Sequence, residues 1–214
     1  MILDGKRIAF LGDSITCGAC LDNEENSYVN RIARSFCWKE VLCEAVPGSR
    51  IGEYIGPDPR MIGPSFLKRY SKMKTKMDIV VVFGGTNDFG IGNAPLGEWA
   101  DETPMTFYGA LNILLKGMTG QYPEAFLLFL TPLHRRTEEI PNEYSGAVLS
   151  EYVEAIRLKT AEYGMHLLDL FAAKSLQPGP HYYRELILED GIHPNEKGHE
   201  VIAKEIIQYL EKKR

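Results

Sequence analysis

No long apolar run occurs anywhere in the 214 residues, and nothing approaches the roughly 20 apolar residues that span a bilayer as a helix. The N-terminus offers only Met1-Ile2-Leu3 before Asp4, Lys6 and Arg7, and the next apolar stretch, Ile8 to Leu11, breaks at Gly12-Asp13. That is too short for the core of an export signal, so the expectation is a cytoplasmic protein with no membrane partner. Cysteine is scarce, with four in the chain. So few cannot form a disulfide framework at this length, and in the cytoplasm they are expected to stay thiols. Cys17 and Cys20 have C-x-x-C spacing, but Cys37 and Cys43 are six apart and do not complete a zinc set, so no metal is expected and the pair is left without a role. Positive charge is not in excess either. Lys plus Arg number 24 against 29 Asp plus Glu, a net charge of −5, which supplies no general field for nucleic acid or anionic lipid.

The standard cofactor motifs are missing too. Gly90-Ile91-Gly92 has no third glycine at dinucleotide spacing, no Gly-rich turn ends in Lys-Ser/Thr, and there is no H-E-x-x-H. Gly12-x-Ser14 continues as Ile15-Thr16, so the G-x-S-x-G elbow is absent. These absences leave dehydrogenase, NTPase and zinc-hydrolase readings without residues.

What the chain does have is alternation. Arg7 to Leu11, Val41 to Val46, Asp78 to Phe83, Phe126 to Leu130 and His166 to Leu170 read as five short strands whose two-sided hydrophobicity suits a parallel sheet covered on both faces. Between them, Thr106 to Lys116 reads as a helix opened by Thr103-Pro104, and Val148 to Tyr163 places Leu149, Val153, Ile156 and Thr160 at helical spacing. Asn195 to Lys212 closes the chain with Ile202, Ile206 and Leu210 on one face and basic residues at its negative end. No repeat, low-complexity tract or linker interrupts this pattern. The expectation is one α/β domain over residues 1–214, a three-layer α/β/α sandwich around a central five-stranded parallel sheet. Glycine and proline gather at Pro47 to Pro64, Gly84 to Pro104 and Gln177 to Pro180. The first two follow strands and are candidate binding loops at the ligand-binding edge of such a sheet.

Strand one runs into Gly12-Asp13-Ser14, which puts a serine hydroxyl at that edge. Near the other end, Asp190-Gly191-Ile192-His193-Pro194 sets a carboxylate and an imidazole three residues apart just before the last helix. A serine nucleophile needs a base to take its proton, and that base needs a carboxylate on its other nitrogen. Ser14, His193 and Asp190 have those types. Taken singly, Ser14 and Thr16 also suit a helix cap, Asp190 and His193 a surface turn, and Asn87 a loop turn. Asp13 and Asp88 read as loop braces. His134, Arg135 and Arg136, after strand four, are candidates for holding a polar or anionic part of a substrate, although a solvated loop is the plainer reading of the three. The run Lys68-Arg69, Lys72, Lys74, Lys76 reads as a solvated helix face.

Gly12-Asp13-Ser14, Gly84-Gly85-Thr86-Asn87-Asp88 and Asp190-x-x-His193-Pro194, in that order, resemble the SGNH hydrolases, the GDSL-type lipases and esterases. The resemblance implies a flavodoxin-like SGNH hydrolase fold, a nucleophile at Ser14 with Asp190 and His193, and an oxyanion hole from Ser14, Gly48 and Asn87. Gly52 remains an alternative to Gly48, because the second block here reads Pro47-Gly48-Ser49-Arg50-Ile51-Gly52 without the family's preceding Asn. The implied activity is a serine carboxylic ester hydrolase acting through an acyl-enzyme on a small acyl ester, such as a carbohydrate O-acetyl ester, with no cofactor. Acyltransferase, lysophospholipase or thioesterase action at the same residues, and a non-catalytic binding protein on the same fold, are the alternatives. A histidine base must be neutral, so activity is expected to fall towards acid pH. The aromatic content of the loops leaves room for a homo-oligomer contact.

Overall fold

The computed structural model describes residues 2–53, 64–91 and 95–213. Five strands form in chain order: β1 (Arg7–Gly12), β2 (Glu40–Ala45), β3 (Ile79–Phe83), β4 (Phe126–Leu130) and β5 (His166–Leu168). Among the described residues eight α-helices accompany them: α1 (Ser14–Cys17), α2 (Tyr28–Ser35), α3 (Phe66–Tyr70), α4 (Thr86–Gly90), α5 (Phe107–Gln121), α6 (Leu149–Glu162), α7 (Pro180–Glu185) and α8 (Glu196–Lys212). The strands pair in the order β2-β1-β3-β4-β5, all parallel. This is the α/β sandwich that the alternation predicts.

Side chains alternate across a strand, and here both faces are apolar. Ile8 and Phe10, with Ile79, Val81, Leu128 and Leu130, pack against α2 and α8 residues such as Ile32, Ile202 and Ile206. Ala9 and Leu11, with Val80, Val82, Leu127 and Phe129, pack against α5 and α6 residues such as Leu111, Leu115, Val153 and Ile156. Continuous apolar runs in β1, β3 and β4 follow from that two-sided burial. The edge strand β2 departs from the expectation of two-sided hydrophobicity, since its Cys43 and Glu44 are exposed. It also ends at Ala45, one residue short of the expected Val46.

The expected helices are present with caps that explain their starts. Thr106 accepts from the Gly109 N–H at 3.2 Å to open α5, Glu151 accepts from the Val148 N–H at 2.9 Å to open α6, and Asn195 accepts from the Gly198 N–H at 3.1 Å to open α8. Strand five is shorter than its apolar run, as the Leu170 N–H bonds back to Leu168 O and bends the chain out of the sheet. Among the described residues no helix is long and apolar enough to cross a membrane.

Strand order decides where a ligand binds. The chain leaves β1 towards β2 on one side, and after β2 it crosses to β3 on the other, so a crevice opens beyond the carboxyl ends of β1 and β3. The segment after β1 carries Ser14 and the segment after β3 carries Asn87. Parts of both candidate binding loops, residues 54–63 of the first and 92–94 of the second, lie outside the described residues.

Candidate active site

Ser14 begins the single turn α1, where Asp13 caps the backbone by accepting from the Ile15 N–H at 3.0 Å. Residue 12 has to be glycine for this turn to form, since a Cβ there would lie 1.8 Å from Thr16 Oγ1. Thr16 in turn shares a 3.0 Å hydrogen bond with the Tyr28 hydroxyl in α2. The Ser14 turn is thereby tied to a helix of the same layer that holds α8.

The Asp190–His193 segment is anchored from both ends. Leu188 N–H donates to His193 O at 2.8 Å, Asn195 N–H donates to Leu186 O at 2.9 Å, and Ile187 and Pro194 form an antiparallel bridge. Gly191 makes the tight turn with φ +72°, and a Cβ there would also strike the Arg136 side chain at 2.7 Å. Asn26 Nδ2 on Glu196 and the Tyr28 N–H on His199 Nδ1, at 2.7 and 3.1 Å, dock the start of α8 on the start of α2. That docking brings two segments 179 residues apart in sequence face to face.

The result is a continuous chain of polar atoms. His193 Nε2 lies 2.8 Å from Ser14 Oγ, and His193 Nδ1 lies 2.6 Å from Asp190 Oδ2. Asp190 Oδ1 accepts from the Ile192 and His193 N–H groups at 2.8 and 2.9 Å. Burial alone would raise the Asp190 pKa, but these backbone donors and the His193 ring outweigh it and hold the carboxyl below its usual value. An ionised carboxylate only accepts, so the imidazole proton sits on Nδ1 and Nε2 is left to accept from the Ser14 hydroxyl. In that state the ring can receive the serine proton, which is what nucleophile activation requires.

Around Ser14 the loop after β2 and the helix after β3 are stitched together. Val46-Pro47-Gly48-Ser49 forms a turn with Ser49 N–H on Val46 O and with Gly48 at φ +71°, the arrangement that Pro-Gly favours. Asn87 Nδ2 donates to Ser49 O at 3.0 Å and approaches Asp13 Oδ2 at 3.4 Å. Asp88 accepts from the N–H groups of Ile51 and Gly52. The Gly52 N–H is thus engaged with Asp88, while Gly48 sits at the tip of the Pro47-Gly48 turn. Asp13 and Asp88 do act as braces. Asp13 is 1% exposed, and its pKa is raised to about 7 by burial first and by neighbouring Asp88, against the Ile15 N–H and Arg69.

Arg69 corrects the reading of its basic run as a solvated face. Lys68, Lys72, Lys74 and Lys76 are exposed, but Arg69 is buried and donates to Pro64 O, Glu44 O, Gly12 O and Ser49 Oγ. It fastens the end of β1 to the loops beside it. No local sequence signal separated it from its neighbours except its place on the apolar side of α3, beside Phe66.

His134 and Arg135 are both buried. His134 sits between Glu138, whose oxygens lie 3.0 Å from Nδ1, and Phe171 O, 2.9 Å from Nε2. Arg135 Nη1 donates to Thr86 O at 3.1 Å and Thr86 Oγ1 at 3.3 Å, next to Asn87 in sequence. The next residue, Arg136, donates its N–H to Gly191 O at 3.0 Å, so this loop touches both α4 and the Asp190–His193 segment.

One neighbour was singled out by the sequence only for its spacing. Cys20 is exposed, holds φ +71°, and its Sγ, an Asp190 oxygen and a His193 nitrogen all lie within 4.8 Å of one another. The four cysteines are free thiols, and Cys17 Sγ donates to Ser14 O at 3.3 Å.

Comparison with known proteins identifies relatives of the whole fold. The model of the GDSL-like Lipase/Acylhydrolase family matches residues 10–201. A solved protein from Lactobacillus plantarum is 30% identical, covers 100% of both chains and superposes with a TM-score of 0.85. A lipase/acylhydrolase from Enterococcus faecalis is 21% identical with a TM-score of 0.66, covering 96% of this chain and 95% of its own. A carbohydrate esterase family 2 enzyme from Corynascus thermopiles, which also carries a carbohydrate-binding domain, is 18% identical with a TM-score of 0.65, covering 98% of this chain and 67% of its own. Among curated proteins no match is found.

Proposed function

Because the chain belongs to the GDSL-like Lipase/Acylhydrolase family, and is thus a hydrolase of that family, we propose that it is a serine esterase that cleaves small acyl esters through an acyl-enzyme on Ser14. The observation that carries this reading is the hydrogen-bonded series Asp190 Oδ2, His193 Nδ1, His193 Nε2 and Ser14 Oγ, at 2.6 and 2.8 Å.

In the first half-reaction His193 Nε2 takes the Ser14 proton as Oγ bonds to the ester carbonyl carbon. The carbonyl π pair moves onto oxygen, and the oxyanion is held by the Ser14 and Gly48 N–H groups and Asn87 Nδ2. The carbon–alkoxide bond then breaks and the leaving oxygen takes the proton from His193. In the second half a water gives its proton to His193 and attacks the acyl carbon, and Ser14 recovers its proton as the acid leaves. Asp190 stabilises the imidazolium formed in each half, and the reading requires no metal or organic cofactor. A small soluble ester fits the chain better than a lipid aggregate, and an acetylated carbohydrate is one such substrate; the carbohydrate esterase among the structural neighbours supports that choice at the level of fold.

Hydrolysis of 4-nitrophenyl acetate and of O-acetylated sugars tests the reading. Ser14→Ala and His193→Ala are expected to lose at least about 10³-fold in turnover. Wild-type rates in a folded Ser14→Ala variant would overturn it.

A further inference from the structure

The C-x-x-C spacing of Cys17 and Cys20 does not make a site of that pair, because the two thiols face different partners. Cys17 is half-buried and donates through Sγ to Ser14 O at 3.3 Å, and burial pushes its pKa up. Cys20 is exposed, and its neighbours come from the other end of the chain. Its Sγ, a carboxylate oxygen of Asp190 and a ring nitrogen of His193 all lie within 4.8 Å of one another. Among the described residues this is the one group of three such donors close enough to share an ion.

Each donor is held by the backbone around it. The chain leaves α1 in a turn where the Gly18 N–H donates to Ile15 O at 3.3 Å, the Ala19 N–H to Ser14 O at 2.9 Å and the Leu21 N–H to Gly18 O at 3.2 Å. Cys20 stands in that turn at φ +71°, the only non-glycine residue at positive φ among the described residues, a region that a Cβ disfavours. Asp190 is fixed by the Ile192 and His193 N–H groups at 2.8 and 2.9 Å, and it holds the His193 ring through Nδ1. Cys20 and Asp190 are both exposed, so an ion reaches them directly from solvent. Zinc holds sulfur at about 2.3 Å and nitrogen or oxygen at about 2.0–2.2 Å, so its ligand atoms stand about 3.3–3.6 Å apart in a tetrahedron. Reaching that spacing moves the donors by about an ångström, within the rotamer freedom of an exposed cysteine.

We propose that Cys20, Asp190 and His193 bind one thiophilic divalent cation, with Zn²⁺ as the type, and that the bound ion silences Ser14. One thiolate, one imidazole and one carboxylate suit zinc, whereas magnesium and calcium take oxygen ligands alone. Thiolate and carboxylate together neutralise the two charges of the ion. As the sulfur–metal bond forms, the thiol proton passes to solvent, and water fills the fourth tetrahedral position. Silencing follows from the hydrogen bonds already in place, since His193 Nδ1 faces Asp190 and Nε2 faces Ser14 Oγ. On Nδ1 the ion leaves the ring proton to Nε2, and on Nε2 it occupies the accepting lone pair; either way the ring no longer takes the serine proton. The ion is thus an inhibitor and stands outside the catalytic cycle. Its binding is independent of the esterase reading of Ser14, and only the loss of turnover rests on that reading.

Cobalt reports the site without turnover, because a thiolate on tetrahedral Co²⁺ gives a sulfur-to-metal charge-transfer band. Reduced, metal-free wild type titrated with Co²⁺ is expected to develop that band and saturate at one equivalent, and Zn²⁺ to abolish it by displacement. Cys20→Ser should lack the band, and Asp190→Asn should need at least about tenfold more Co²⁺ to reach it. No band in wild type, or an undiminished band in Cys20→Ser, would overturn the site, the second result assigning the ion to another thiol. Turnover of 4-nitrophenyl acetate then tests the silencing. Zn²⁺ should inhibit wild type with a midpoint at least about tenfold lower than it does Cys20→Ser, each rate taken relative to the same protein without metal, while Mg²⁺ and Ca²⁺ leave both unchanged. Equal zinc inhibition of the two proteins would overturn the silencing through this site. Cobalt bound through Cys20 in a wild type that hydrolyses no ester would keep the site and overturn the esterase reading instead.

Discussion

Neighbouring polar residues around Ser14 have different tasks. Asn87 is buried, and its Nδ2 lies between Ser49 O and Asp13. In the proposed oxyanion role, which takes one Nδ2 proton from these partners, Asn87→Ala is expected to lower kcat by about 10² to 10³ with little change in KM; steady-state kinetics on an acetyl ester checks this. Cys20 stands within 4.8 Å of Asp190 and His193 donor atoms, and its exposure leaves it open to reagents. Alkylation with a bulky maleimide should abolish most turnover in wild type and spare a Cys20→Ser variant.

Two buried titratable groups pull stability in opposite directions with pH. Asp13 has a folded pKa of about 7 against 3.8 for the free group. Between those values the folded chain keeps a proton that the unfolded chain has released, so this group's contribution falls as pH rises, by on the order of 4 kcal/mol across the window. His199, buried against Tyr28 with Nε2 unpartnered, is lowered by burial to about 4 from 6.5. There the unfolded chain holds the extra proton, so stability rises with pH over the same range by on the order of 3 kcal/mol. The two slopes largely cancel in wild type. Urea midpoints between pH 4 and 7 should rise with pH in Asp13→Asn and fall in His199→Gln; curves parallel to wild type would contradict the assignment. His199 was legible in principle, being three residues before Ile202 on the apolar face of α8. The burial of Arg69 and Arg135 was not, because it depends on loops from distant parts of the chain closing over them.

At the scale of elements, the strands and the three long helices were readable because two-sided burial imposes continuous apolar runs on β1, β3 and β4 and a capped apolar stripe on α5, α6 and α8. The short helices were not. In α2 only Tyr28, Val29 and Ile32 are buried, among Asn30, Arg31 and Arg34, and eight residues are too few for that stripe to stand out. Yet α2 matters to the site, because its N-terminus receives α8. The Asn195 cap also donates to Glu185 O at 2.9 Å, so it secures both α8 and the preceding Asp190–His193 segment. Asn195→Ala should cost about 1 kcal/mol of stability and reduce turnover further than a surface cap would. Chemical denaturation together with kinetics separates the two effects, and turnover at the wild-type level would show that the segment holds itself.

At the scale of the whole molecule, function follows from strand order. Ser14 and Asn87 come from adjacent parallel strands on either side of the switch between β1 and β3, and the Asp190–His193 segment is delivered over them by α8. The motifs named the residues, but the sequence could not show that Asp88 engages Gly52, the alternative to Gly48 in the second block. The sheet that supports the site depends on its two-sided core. Phe129 is fully buried between β3 and β5, and Phe129→Ala is expected to cost about 3–5 kcal/mol, measured by urea unfolding.

The most direct test of the central claim is the intact mass of the protein after reaction with a fluorophosphonate, which reports an activated serine without knowledge of the substrate. The account predicts one adduct on wild type and none on Ser14→Ala or His193→Ala. An adduct that survives in Ser14→Ala, or its absence from folded wild-type protein, would contradict it.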